Sequence, residues 1–148
     1  MKLYHGSRYD GDKIESRQAA KGENLEGIPE KELQKGIYLS PDYGFAMAMG
    51  ARVPGYTKVG ENEKSVKFEH PELFDPNSDI FMYTFDSDKI DAENLEYIDN
   101  LHYIVKGVKE LTPTEKESVK ARELLKYYKL VNWKENNVII PEQKLNFK

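Results

Sequence analysis

The chain has no cysteine, which excludes disulfide frameworks, thiolate nucleophiles and thiolate metal sites. Arginine is scarce. Arg8, Arg17, Arg52 and Arg122 are the full set, and 22 basic residues stand against 26 acidic ones for a net charge of −4. Proteins that bind nucleic acid in general do so by neutralising many phosphates, so no general nucleic-acid-binding surface is expected. Long apolar runs are missing as well: no segment approaches the ~20 apolar residues that span a bilayer, and Met1-Lys2-Leu3-Tyr4-His5 holds no apolar stretch of signal-peptide length. These absences predict a cytoplasmic protein without a membrane partner. Internal repeats and low-complexity tracts are absent too. So is a Gly-x-Gly-x-x-Gly nucleotide loop: Gly22-Glu23-Asn24-Leu25-Glu26-Gly27 has the wrong spacing and lacks a flanking strand and helix.

What is present is enough for a core. The 148 residues fit one domain, 1–148, and with 39% hydrophobic residues, ten Tyr, six Phe and one Trp the chain carries enough apolar surface to offset its conformational entropy. Lys2–His5 reads as a strand ended by Gly6, residues 14–35 as a polar loop, and Gly36–Leu39 as a second strand. Ser40-Pro41-Asp42 predicts a helix start, Ser40 capping and Pro41 in the first turn, with Phe45, Ala46, Met47 and Met49 on the helix that follows. Residues 55–79 read mostly as loop, and Ile80–Phe85 gives the strongest strand signal. Glu96–Ile98 and Tyr103–Val108 suggest short strands. Thr112-Pro113-Thr114-Glu115 fits a capping box opening a helix whose Ala121, Leu124, Leu125 and Tyr128 share a face. Val131 to Ile140 suggests a hairpin with its turn at Asn136-Asn137. The sum is α+β, with a core over about residues 1–110 and a C-terminal helix and hairpin tail over 112–148.

Three stretches carry chemistry when taken together: His5-Gly6-Ser7-Arg8, Lys35-Gly36-Ile37-Tyr38-Leu39-Ser40, and Leu95-Glu96-Tyr97-Ile98. In this order, each at a strand end, they resemble the His-Tyr-Glu motifs of the ADP-ribosyltransferase superfamily, in its diphtheria toxin and poly(ADP-ribose) polymerase-like branch. The chain is also similar in size and in its Tyr-His-Gly start to the small rifampin ADP-ribosyltransferases. The resemblance covers roughly the first 110 residues. It implies a split β-sandwich of short strands with small flanking helices, and a toxin-like mono-ADP-ribosyltransferase that takes NAD as co-substrate and needs no metal.

Breaking the nicotinamide–ribose bond develops oxocarbenium character on the sugar, so such a site must hold the ring and favour positive charge. The resemblance assigns the catalytic set His5, Tyr38 and Glu96. His5 would bond a ribose hydroxyl of the adenosine half, the Gly6 backbone would pair with the nicotinamide carboxamide, and Ser7 would bond the nicotinamide ribose. Tyr38 would stack on the nicotinamide ring. Glu96 would bond the 2′-hydroxyl of the reacting ribose and help activate the nucleophile. Arg17 resembles the arginine that meets the pyrophosphate. Polymerase relatives carry a Ser and a second stacking Tyr eight and eleven residues after the first, where this chain has Ala46 and Met49. That leaves Met49, Phe45 or Tyr43 as the other wall of the pocket.

The acceptor is not legible and ranges over a protein, a nucleic acid or a small molecule. Alternatives are an NAD glycohydrolase and a non-catalytic nucleotide-binding or interaction module with the same fold. The tRNA 2′-phosphotransferase branch would call for further His and Arg residues that the chain does not offer. His70 between Glu69 and Glu72 invites a metal reading, but Pro71 breaks the helix that would align them. His102, beside Tyr103, reads as structural or as lying near the target surface.

Overall fold

The computed structural model describes residues 1–15, 36–133 and 138–139. Arg17, Lys35 and the Asn136-Asn137 turn lie outside the described residues.

The apolar run at Ile80–Phe85 becomes β6 (Asp79–Asp86), the middle strand of an antiparallel sheet between β1 (Lys2–Ser7) and β10 (Glu115–Lys120). Both faces of β6 are covered, which is why its sequence is continuously apolar rather than alternating. Ile80 and Met82 enter one core together with α1 (Tyr43–Gly50), while Tyr83 and Phe85 join Leu3 in a second. That second core is closed by Ile37, Leu39 and Val105 from another antiparallel sheet. Its order is β3 (Ile37–Leu39), β8 (His102–Val105), β7 (Leu95–Asp99). A two-stranded ribbon of β2 (Ile14–Glu15) and β9 (Glu110–Leu111) borders it, adding Ile14 to the core and Leu111 against it.

The first core is closed on its far side by β4 (Thr57–Gly60), β5 (Ser65–Phe68) and β11 (Lys129–Asn132), the last running parallel to β5. Residues 57–68 are therefore an antiparallel hairpin where a loop is expected. Thr57-Lys58-Val59-Gly60 and Ser65-Val66-Lys67-Phe68 alternate with period two, and Val66 and Phe68 are fully buried. Its turn places Lys64 at φ 51, a left-handed conformation unusual for a side-chain-bearing residue. Likewise Ile14, expected in a loop, is a buried strand residue, and β1 runs past Gly6 to Ser7.

Two further expectations are corrected. Residues 115–120 form strand β10, and the helical segment that follows is a single 3₁₀ helix at Ala121–Lys126. The capping-box pattern loses to tertiary pairing, because β10 finds a full ladder along β6. Ala121, Leu124 and Tyr128 are nonetheless buried and Leu125 packs against the same core, so the apolar stripe is core in a different geometry. The cap of α1 is Asp42, not Ser40. Asp42 has extended backbone and its carboxylate accepts the Phe45 N–H at 2.9 Å, while Ser40 Oγ accepts the Asp42 N–H at 3.0 Å.

Helix α1 is buried on nearly all sides, as its composition of Gly44, Phe45, Ala46, Met47, Ala48 and Gly50 requires. Small residues let it lie directly on backbone. A Cβ at Gly50 would come within 2.8 Å of the Gly6 carbonyl carbon and the Ser7 nitrogen.

Candidate active site

An isolated bridge joins the β1–β6–β10 sheet to the β3–β8–β7 sheet. Tyr4 donates to the Ser40 carbonyl at 2.7 Å, and Ser40 donates back at 2.9 Å. Backbone groups in an antiparallel strand alternate sides, so Gly6, two residues on in an unbroken register with β6, turns its N–H and C=O to the same side as those of Tyr4. Continuing the bridge register would set Gly6 opposite Tyr38. Instead, the ladder stops and the His5 ring enters the gap, its Nδ1–H donating to the Tyr38 carbonyl at 2.9 Å. A carbonyl only accepts, so Nδ1 carries a proton in this bond. His5 is 8% exposed.

Gly6 is glycine for a reason the sequence did not disclose. A Cβ there would overlap the Ala46 carbonyl of α1, so the close approach it permits is that of a helix on one face, while its N–H and C=O lie in the plane of the sheet.

Tyr38 and Glu96 are brought together by strand register. Tyr38 pairs with Ile104 across β3 and β8, and Glu96 pairs with the same Ile104 across β8 and β7. Directly opposed residues project to one face, so Tyr38, Ile104 and Glu96 form one row two strand spacings wide, about 10 Å. Gly36 lies on that face too, and a Cβ there would meet the Ile104 side chain at 2.8 Å. Glu96 is 57% exposed and its carboxylate pairs with Lys106 Nζ at 3.0 Å.

A residue not assigned to the site by sequence sits in this row's neighbourhood. The His102 ring meets Tyr38 edge to face at 6.3 Å between centroids, and Phe45 in the same manner at 5.0 Å. Its Nδ1–H donates to Asp99 Oδ1 at 2.7 Å, and only 16% of the side chain is exposed. The readable signal was the interval Asp99-Asn100-Leu101-His102 between two strand patterns, which closes the β7–β8 hairpin and sets its ends opposite each other.

The remaining expected residues are spread around this centre. Ser7 Oγ accepts the Tyr9 N–H at 2.9 Å, closing a turn at the end of β1. Arg8 fastens that turn, donating to the Ala51 carbonyl and to Ser78 Oγ. Phe45, expected as a wall open to the ring, is 5% exposed and belongs to the first core, with His102 between it and Tyr38. Met49, four residues on and on the same side of α1, packs against that core as well. Tyr43 is turned elsewhere, against Tyr4 and Tyr127, with its hydroxyl bonded to Glu117. Burial and that carboxylate push the Tyr43 hydroxyl pKa upward. His70 lies within 4 Å of Glu69 and Glu72, but among the described residues no group of three or more His, Cys, Asp or Glu is arranged to hold a metal.

No family profile, curated protein or solved structure matches the chain. Among the described residues no helix is long and apolar enough to cross a membrane.

Proposed function

We propose that this mixed α+β chain is an ADP-ribosyltransferase-like split β-sandwich that cleaves the nicotinamide–ribose bond of NAD and transfers single ADP-ribose units. The observation that carries the reading is the Tyr38–Ile104–Glu96 row, with His5 hydrogen-bonded to the backbone of Tyr38 at the parting of the two sheets. Residues more than 50 positions apart in sequence meet there, and each is of the type the chemistry needs.

In this reading the nicotinamide ring lies on Tyr38, and its carboxamide takes the in-plane N–H and C=O of Gly6. His5 takes a ribose hydroxyl of the adenosine half, and Ser7 lies beside the nicotinamide ribose. As the C1′–N bond lengthens, nicotinamide leaves with the bonding pair and the ribose becomes cationic. A carboxylate fixed on the sheet opposes that charge without reorganising, the kind of contribution worth 10²–10³ in rate. The ion pair to Lys106 is no obstacle, since exposed pairs are worth about 0–1 kcal/mol and exchange readily with water.

The test is incubation of the full chain with NAD, following free nicotinamide. Release above buffer supports the reading, and labelled NAD in a lysate then reports which fraction carries ADP-ribose. No release and no change in melting temperature at millimolar NAD would sink it, because a ligand of the folded state must stabilise that state by mass action. One observation favours the non-catalytic alternative: the exposed, Lys-paired state of Glu96. Its signature would be a melting shift with NAD and no nicotinamide.

A further inference from the structure

Strand β7 ends its sheet: the order is β3, β8, β7, and among the described residues no strand pairs with its outer edge. Which backbone groups face outward follows from the ladder. Asn94 extends the β7–β8 register by one pair, opposite Lys106, and the Lys106 N–H donates to the Asn94 carbonyl at 2.8 Å. Antiparallel pairs alternate between bonded and non-bonded, so Glu96 also bonds inward to Ile104, while the N–H and C=O of Leu95 and Tyr97 point away from β8. The far side of the sheet agrees. Ser40 turns its backbone out to Tyr4, so Tyr38 faces the same way, and Ile104 is left to bond Glu96. Beyond Tyr97, which is 58% exposed, the register shifts: Tyr97 pairs with Tyr103 but Asp99 with His102, so Ile98 is a bulge that ends the straight edge. The outward ladder is therefore Leu95-Glu96-Tyr97. The outer strands β4 and β10 carry Lys58, Lys116 and Lys120, which discourage strand addition, whereas this stretch has neither lysine nor proline.

We infer that the acceptor is an extended protein segment that adds to β7 as a fourth, antiparallel strand, and that its residue opposite Glu96 takes the ADP-ribose. This inference rests on the NAD reading above. Main-chain groups at strand spacing are complementary to another extended main chain, and strand addition draws its affinity from those bonds. Leu95 and Tyr97 hold the segment, which leaves Glu96 in a non-bonded pair, the closer kind, with Cα atoms about 4.5 Å apart and both side chains on one face. That face is the one Tyr38 shares. A side chain delivered there stands beside the carboxylate that opposes the developing charge. In the step, the C1′–N bond breaks and nicotinamide departs with the bonding pair. The nucleophilic atom of the acceptor side chain bonds C1′, and its proton passes to water. A second copy of the chain is a poorer occupant, because two-fold pairing of the edge about its centre sets Glu96 against Glu96, and like charges directly opposed are destabilising.

The test incubates the full chain with labelled NAD and short peptides of random sequence, and reads peptide label per nicotinamide released. Tyr97→Pro removes the outward N–H without touching the β8 ladder, and Tyr97→Ala removes the ring alone. Wild type and Tyr97→Ala should label the peptides within a few-fold of each other, and Tyr97→Pro about tenfold less, the effect of one lost main-chain bond. The same peptides with methylated backbone nitrogens should lose label similarly with the wild-type chain, which keeps the inference testable if Tyr97→Pro does not fold. Equal labelling by the Pro and Ala variants, undiminished labelling of the methylated peptides, or a wild type that releases nicotinamide and labels no peptide would overturn it. So would sedimentation as a dimer with the Leu95 and Tyr97 amides protected from exchange. Silence of the wild type toward NAD would instead overturn the NAD reading, and this inference with it.

Discussion

Two polar clusters flank helix α1, and they are built on opposite plans. At its N-terminus Asp42 is saturated: Oδ1 takes the Phe45 N–H, and Oδ2 takes Lys64 Nζ at 3.1 Å and the Tyr128 hydroxyl at 3.0 Å. Burial alone would raise its pKa, but the bonds from Phe45, Lys64 and Tyr128 outweigh that and hold the carboxyl below its ordinary value. These bonds tie the helix to the β4–β5 turn, where Lys64 is held at positive φ, and to the segment after the 3₁₀ helix. The other cluster, Tyr38, His102 and Glu96, is arranged by strand register and a bulge and borders the surface. A closed cluster of this kind holds a fold together. The other sets its groups along one sheet face, from the half-buried Tyr38 and His102 to the exposed Glu96.

The comparison predicts that substitutions on the sheet face change rate and spare stability, and that those at the helix do the reverse. The largest effect belongs to Glu96→Gln, which keeps the shape and removes the charge. Nicotinamide release should fall by about 10²–10³, while the melting temperature stays put, since an exposed ion pair with Lys106 is worth little. Melting loss without rate loss would invert the roles of the two clusters. Next comes Gly6→Ala, which belongs to both regions: Gly6 lies in the proposed site, and a Cβ there also meets a backbone carbonyl of α1 that cannot rotate away, so stability falls along with binding. Overpacking of that kind costs about 3 kcal/mol, and denaturant titration with an unchanged slope would register it.

Asp42→Ala should cost about 2 kcal/mol, the upper end for a lost N-cap, because Lys64 and Tyr128 lose their acceptor with it. The acid limb sharpens the point. A carboxyl whose folded pKa lies below its unfolded one contributes stability above the unfolded value and loses it as pH falls through the folded one. Wild type should therefore weaken below about pH 4, and Asp42→Asn should weaken less steeply there; identical acid limbs would show the cluster to be unimportant. The smallest effect is at Tyr38. Tyr38→Ala should weaken NAD binding by about 0.5–1.5 kcal/mol beyond its lost area, and Tyr38→Phe should be nearly silent. Calorimetry distinguishes the two, and equal damage would mean that the hydroxyl rather than the ring face makes the contact.

How far the molecule can be read from its sequence differs between these regions for a physical reason. Strands β1, β3 and β6 are legible because local apolar content and Gly or Asp punctuation agree with the fold. Strand β10 is not. Glu115-Lys116-Glu117-Ser118 has the charged composition of a solvated helix and is a strand only because β6 offers it an edge. The β4–β5 hairpin hides behind Lys58, Lys67 and a charged turn that do not disturb its buried alternate residues. In the candidate site, the residue types at His5, Tyr38 and Glu96 are visible in the motifs, but the juxtaposition of Tyr38 and Glu96 depends on a shared partner, Ile104, that no local pattern marks. The Asp99–His102 pair depends on a one-residue bulge, and the reason for Gly6 lies in a helix 40 residues away.

The central claim is that NAD is read where β1 and β3 part, by Gly6 from one strand and Tyr38 from the other. Amide chemical shifts of the isotope-labelled chain during titration with nicotinamide test it directly, since nicotinamide carries the carboxamide and ring but cannot react. The account predicts saturable shifts centred on Gly6, Ser7 and Tyr38, with smaller ones at His102 and none at the Asp42 cluster. Shifts confined to other parts of the molecule, or no saturable shift at millimolar nicotinamide, would contradict it.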